Sequence, residues 1–197
     1  MECATLNNGI KMPMAGIGTF LLTPDEAEAS VLSALQCGYR LIDTANAYVN
    51  EKAVGRAMRK SGIPRDEIFL ETKLWPSFYE QEDAVEKTLQ RLGTDYIDLL
   101  LIHQQYGDVY GSWRAMERAL KEGKVRAIGV SNFQTGRFVD FAMHVDVKPM
   151  MNQLQCNVAI QQNGIQPYLA EYGTRMTAWG PLGGQGSDAV FGNATLK

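Results

Sequence analysis

What is scarce in this chain narrows its chemistry first. It has two histidines and three cysteines. His103 follows an apolar run and His144 falls on a predicted helix, so a histidine-built metal site lacks ligands and no metal is expected. Cys3, Cys37 and Cys156 are odd in number and irregularly spaced, which excludes a disulfide framework. They read as thiols of a reducing compartment, small core fillers ahead of any chemistry. No apolar run approaches the roughly 18 residues of a membrane span. The longest, Ile97 to Ile102, is already broken by Asp98. The first residues hold no cationic patch leading into an apolar stretch, so no leader is expected and the compartment is read as cytoplasmic. Neither common phosphate cradle is present, and G-x-S-x-G and H-E-x-x-H are absent too. Charge of neither sign dominates: 19 Lys+Arg face 22 Asp+Glu, a net of −3. Without a basic cluster, nucleic acid is not an expected partner, and no membrane is either.

What is present is globular and regular. With 45% hydrophobic and 21% charged residues, disorder is excluded, and 197 residues suit one domain. Short β-rich runs alternate with amphipathic helices. Thr23-Pro24-Asp25-Glu26 announces the first helix, whose stripe is Ala27, Val31 and Leu35, and Gly38 stops it. Four more run from Asn50 to Gly62, across Ala84 to Gly93, across Trp113 to Gly123, and over roughly Arg137 to His144. A short sixth covers Gln166 to Tyr172. Strands are expected at Ala15 to Phe20, Leu41-Ile42, Ile68 to Leu70, Tyr96 to Ile102, Val125 to Val130, Met150 to Leu154 and Met176 to Trp179. Leu6 to Ile10 looks like a separate hairpin turning at Asn8-Gly9. Strict alternation means an α/β fold with a parallel sheet, either open and doubly wound or closed as a (β/α)8 barrel.

The strand ends favour the barrel. Asp43, Lys73 and His103 each sit just past an apolar run and are spaced 30 residues apart. Ser131-Asn132, Asn152-Gln153 and Trp179 end the next three strands. In a barrel all of these meet at the C-terminal mouth. Tyr48 lies five residues past Asp43 and joins the ionisable set. An ammonium beside a tyrosine hydroxyl stabilises the phenolate, and a carboxylate keeps a buried ammonium charged. With a histidine donor the set can protonate a carbonyl oxygen, while a nicotinamide or flavin brings the hydride that no side chain can donate. Taken singly, each residue has a plain structural explanation: a cap, a surface ring, a solvated charge, a strand-end histidine.

These residues sit in segments that resemble one family, the aldo-keto reductases. They are Gly16-Ile17-Gly18-Thr19-Phe20, Tyr39 to Ala45 with Tyr48, Glu71-Thr72-Lys73-Leu74-Trp75, Asp98 to His103, and Gly129-Val130-Ser131-Asn132-Phe133. The likeness runs along nearly the whole chain and is greatest to the branch of 2,5-diketo-gluconate reductases and prostaglandin F synthase. It implies a (β/α)8 barrel with an N-terminal hairpin across its bottom, and NADP(H) as cofactor. It implies that Tyr48 is the general acid, Lys73 and Asp43 its tuning pair, and His103 the donor that orients a carbonyl substrate. Ser131, Asn132 and Gln153 would hold the nicotinamide carboxamide, and Trp179 would stack on its ring. Gly18, Thr19 and Asp43 would lie along the cofactor. Pro181, Leu182 and the glycine-rich loop 183–186 would pass its pyrophosphate. Phe20, Trp75 and Val49 would wall a small-molecule substrate pocket.

The sequence departs from the family pattern in places. Gln104-Gln105 replaces an aromatic or Gln followed by Pro, and Gln155-Cys156-Asn157-Val158 replaces a His-Pro pair. Counting from Ala15 there are seven strands. After them Asn193-Ala194-Thr195-Leu196-Lys197 reads as a cap and one helical turn. The expectation is one barrel domain over 1–197 that lacks its last βα portion, and a monomer once the barrel is complete. Three alternatives stay open beside a carbonyl reductase: a cofactor-binding barrel without catalysis, an inactive fragment of a reductase, and a Schiff-base lyase using Lys73.

Overall fold

The computed structural model describes residues 2–184 and 191–196. Its first element is an antiparallel hairpin of β1 (Cys3–Thr5) and β2 (Lys11–Pro13). The turn lies at Asn8-Gly9 as expected, with Gly9 at φ +88°, where a side chain would be strained. The paired strands flank the Leu6–Ile10 run rather than lying within it. Leu6 and Met12 enter the core. The Asn8 amide donates to the Arg126 carbonyl at 3.0 Å, and Arg175 donates to the Thr5 carbonyl at 3.0 Å. These contacts hold the hairpin under the N-terminal ends of strands met later in the chain.

Seven strands follow, and each of the first six leads into a helix. They are β3 (Gly16–Gly18), β4 (Leu41–Asp43), β5 (Phe69–Leu74), β6 (Ile97–Ile102), β7 (Val125–Ser131), β8 (Met151–Gln155) and β9 (Arg175–Trp179). The helices are α1 (Pro24–Gln36), α2 (Glu51–Lys60), α3 (Ala84–Leu92), α4 (Val109–Lys121), α5 (Thr135–His144) and α6 (Gln166–Glu171). Local sequence sets their ends. The Thr23 hydroxyl accepts from the Glu26 amide while the Glu26 carboxylate accepts from the Thr23 amide at 2.9 Å, a reciprocal cap that starts α1. Gly93 ends α3 at φ +65°.

The strands pair in parallel and in chain order, β3 to β9. The sheet is strongly curled. Gln153 on β8 donates to Asp43 on β4 at 3.1 Å and to Glu71 on β5 at 2.7 Å. In a flat sheet β4 and β8 would stand roughly 19 Å apart, four strand spacings. The barrel-type sheet expected from the sequence is therefore observed as a seven-stranded curl with its hairpin, and β3 and β9 form its edges among the described residues.

Three expectations need correction. β5 continues past Leu70 to Leu74, so Glu71, Thr72 and Lys73 are buried strand residues rather than the start of a loop. β3 is shorter than Ala15 to Phe20. Cys3 and Cys37 are exposed and Cys156 is half-buried, so none of the three fills the core. An aromatic cluster does that beneath α4 and α5, where Phe141 sits 5.1 Å from both Trp113 and Phe133 by ring centroids.

Between α2 and α3 the backbones touch at Gly55, where an added Cβ would lie 1.9 Å from the Leu92 carbonyl oxygen. Backbone cannot swing aside as a side chain can. Gly55→Ala is expected to cost about 2 kcal/mol, from overpacking of a close helix pair. Urea denaturation would read it as a lower midpoint.

Candidate active site

The C-terminal ends of the strands bring four ionisable side chains together. Asp43 closes β4 and is in register with Glu71 on β5, two residues before Lys73. The Lys73 ammonium is paired with Asp43 Oδ1, and it also donates to the Thr44 carbonyl at 3.0 Å and to Tyr48 Oη at 3.5 Å. Tyr48 is delivered by a single tight turn, Asn46–Tyr48, right after β4. Val49 ends that turn at φ +59°. A β-branched residue there stores strain of order 1–3 kcal/mol beside the tyrosine. His103 follows β6, its ring 5.7 Å from that of Tyr48 and 5.0 Å from that of Trp75. Its buried Nδ1 has no hydrogen-bond partner among the described residues.

Burial and charge set the protonation states. For Lys73 burial disfavours the charge, but Asp43, with Tyr48 and Glu71, outweighs it and holds the ammonium above the ordinary lysine range. For Tyr48 burial is the largest influence and raises the hydroxyl above its ordinary value. Lys73 opposes that rise and Asp43 adds to it. The sequence reading expected Lys73 to lower the tyrosine; the net direction is the reverse, because a phenolate in this partly dry site is costly. The hydroxyl is therefore neutral near pH 7 and holds a proton to give. His103 is pushed down to about 3 by burial and then by the Lys73 charge, so its imidazole is neutral. Glu71 is pushed well above the carboxyl range, to about 8, by burial and then by the Asp43 charge, with Lys73 opposing.

A cavity of about 2310 Å³ opens over this group. The expected site residues Gly18, Phe20, Asp43, Tyr48, Trp75, His103, Ser131, Asn132, Gln153, Trp179, Pro181 and Leu182 all line it, as does Val49. Lys73 lies behind Asp43 and Tyr48, its side chain 1% exposed. Thr19 is also fully buried; its hydroxyl donates to the Asp43 carbonyl at 3.2 Å and to Asn50 at 3.3 Å, so it braces the strand end instead of lining the cavity. Gly183 and Gly184 line the cavity, while Gln185 and Gly186 of the same loop lie outside the described residues.

Asn132 ties the far wall together. Its amide donates to the His103 carbonyl at 3.1 Å and to Ser131 Oγ at 3.2 Å, and its Oδ1 accepts from the Trp179 indole at 2.9 Å. Its backbone, at φ +62°, adopts the left-handed conformation that asparagine tolerates better than most residues.

Sequence reasoning missed three supports. Asn50 accepts from both Thr19 and Thr44, and Asn46 Oδ1 accepts from the Trp75 amide at 2.9 Å. Glu71 is the third. Its signal was available: residues two apart on a strand share a face, so Glu71 points the same way as Lys73.

With this geometry in hand, similarity to known proteins is informative. The profile described as the Aldo/keto reductase family matches residues 14–189. Glyoxal reductase of Bacillus subtilis is 42% identical over 186 residues, covering 92% of this chain and 67% of that protein. Morphine 6-dehydrogenase of Pseudomonas putida is 39% identical, covering 93% of this chain and 64% of that protein. The chain thus spans about two thirds of these relatives' length. The crystal structure of MGS-M4, an aldo-keto reductase from a deep-sea metagenome library, superposes with a TM-score of 0.93 at 40% identity, over 98% of this chain and 73% of that one. A Bombyx mori aldo-keto reductase in complex with NADP superposes with a TM-score of 0.86 at 30% identity, over 90% of this chain and 66% of that one.

Proposed function

The chain belongs to the aldo/keto reductase family, and from that premise we propose that it is an NADP(H)-dependent oxidoreductase reducing aldehydes and ketones to alcohols. The observation that carries the reading is the Tyr48 hydroxyl 3.5 Å from a buried, charged Lys73, with the neutral His103 ring beside it at the mouth of a parallel curl.

The residues present suit a nicotinamide dinucleotide. Ser131, Asn132 and Gln153 would hold the carboxamide and Trp179 would stack on the ring. Gly18 would lie along the cofactor edge, with Pro181 and Leu182 along the pyrophosphate. Asn132 already fixes the Trp179 indole through a hydrogen bond, which lowers the ordering cost of a stacking platform. When bound, such a cofactor supplies the hydride that reaches the carbonyl carbon.

The chain's own residues handle the oxygen. Tyr48 gives its Oη proton to the carbonyl oxygen as charge develops there. Lys73 stabilises the phenolate left behind, and Asp43 keeps Lys73 charged throughout. His103, neutral at the working pH, donates one N–H to the same oxygen and sets the approach of the substrate. Phe20, 5.1 Å from the Tyr48 ring, with Trp75 and Val49, gives the pocket apolar walls that suit small carbonyl compounds. The lyase alternative loses support here. Lys73 is buried, paired and charged, whereas a Schiff base needs an accessible neutral amine.

The test is NADPH consumption with a nitrobenzaldehyde. Steady consumption proportional to protein and aldehyde is expected. Tight NADPH binding without turnover would favour a cofactor-binding barrel without catalysis, and no binding would refute both. Asn132→Ala should weaken NADPH binding about tenfold, the worth of roughly one lost hydrogen bond in a site. Titrating the quenching of tryptophan fluorescence by NADPH measures it.

A further inference from the structure

We propose that Glu71 is a positioning residue for Gln153: as a neutral carboxylic acid it holds the Gln153 amide nitrogen toward the barrel core, so that the carbonyl oxygen faces the cavity. Both hydrogens of Gln153 Nε2 are committed, to Glu71 Oε1 at 2.7 Å and to Asp43 Oδ2 at 3.1 Å. Asp43, as the ionised partner of Lys73, can only accept, and this determines which end of the amide points inward. With the nitrogen so occupied, Oε1 is the group Gln153 offers to the cavity it lines.

The neutral state of Glu71 follows from its surroundings. It is fully buried, and its Oε2 has no hydrogen-bond partner. The one nearby cation, Lys73, spends its donors on Asp43, the Thr44 carbonyl and Tyr48. A buried carboxylate with a single amide donor would bear an uncompensated desolvation cost, whereas the protonated acid bears far less. The groups that face Glu71 are Asp43 from β4, Lys73 from its own strand and Tyr48 from the turn after β4. Ionising Glu71 would set two carboxylates against one ammonium and would raise Tyr48 further. A neutral Glu71 keeps the Lys73 charge available to the tyrosine. The consequence for cofactor binding rests on the proposed nicotinamide site; the protonation claim does not.

The experiment therefore has two parts. Infrared spectroscopy of the full chain should show a protonated carboxyl band near pH 6 that titrates away as pH rises through about 8 and is missing in Glu71→Gln. Glu71 binds its proton more tightly when folded than its ordinary 4.5, so the stability it contributes is complete below that value and is lost as pH rises through about 8. The melting temperature of the wild type should thus fall relative to Glu71→Gln over this window, a limb that a merely space-filling residue would not produce. The His103 limb is common to both proteins. In the second part, Glu71→Leu should weaken NADPH binding about tenfold, and Glu71→Gln, which keeps an acceptor for Gln153, should recover most of that affinity. No carboxyl band, a band that survives in Glu71→Gln, or equal affinity in Glu71→Leu and wild type would each overturn the proposal. A wild type that never binds NADPH would instead defeat the cofactor assignment, while the infrared and melting results would still decide the state of Glu71.

Discussion

Tyr48→Phe is expected to lower aldehyde reduction by about 10²–10⁴-fold, the usual worth of a positioned general acid, while NADPH affinity stays within about twofold. The change removes one oxygen and leaves the ring, so its contacts with Phe20 and His103 persist. Lys73 keeps Asp43 and the Thr44 carbonyl as partners, so the buried ammonium is not stranded. What disappears is the only neutral hydroxyl within reach of both Lys73 and the cavity among the described residues. His103 cannot take over as acid, because burial keeps its imidazole unprotonated at working pH. Steady-state rates with saturating NADPH, beside a fluorescence titration of the cofactor, separate the two effects. Equal rates in wild type and variant would remove Tyr48 from the chemistry.

The second large effect lies at the opposite end of the sheet. Asp98 breaks the longest apolar run of the sequence, yet it is 1% exposed on β6. Its Oδ2 accepts from Arg65 at 2.8 Å and from the Leu70 amide at 3.0 Å, and its Oδ1 accepts from Arg126 at 2.8 Å. One carboxylate therefore links the loop before β5, β5 itself and β7. Asp98→Ala leaves a buried amide without an acceptor and two guanidinium groups facing each other. The expected loss is about 3–4 kcal/mol, below that of a fully buried pair broken outright, because Arg65 and Arg126 keep partial access to water. For a chain of this size that lowers the melting temperature by about 10 °C. Asp98→Asn, which retains an acceptor for Leu70, should lose about half as much. A melting temperature for Asp98→Ala near the wild-type value would show that these bonds contribute little net stability.

The ionisable set was legible because its members sit at strand ends. Asp43, Lys73 and His103 punctuate apolar runs at one regular spacing, and a parallel curl gathers such positions whatever the loops between them do. Glu71 was harder to see. The polar run Glu71-Thr72-Lys73 looks like the end of a strand, and only the period-two alternation hints that β5 continues with two ionisable groups facing inward. The direction of the Tyr48 shift could not be read either, since it depends on how dry the site is, and burial is a property of the assembled fold. Thr19 shows the same limit from the other side: its place in the motif is clear, but its side chain serves Asn50 and the Asp43 carbonyl rather than the cavity. The bond from Trp179 to Asn132 joins residues far apart in the chain, and no local pattern announces it.

The fate of the hydride tests the proposed chemistry most directly. NADPH carrying deuterium at both C4 positions of the nicotinamide, incubated with this chain and a nitrobenzaldehyde, should yield an alcohol with deuterium on the carbinol carbon and a solvent-derived proton on oxygen. Alcohol formed without deuterium on that carbon, or labelled NADPH that binds and is never consumed, would contradict carbonyl reduction at Tyr48.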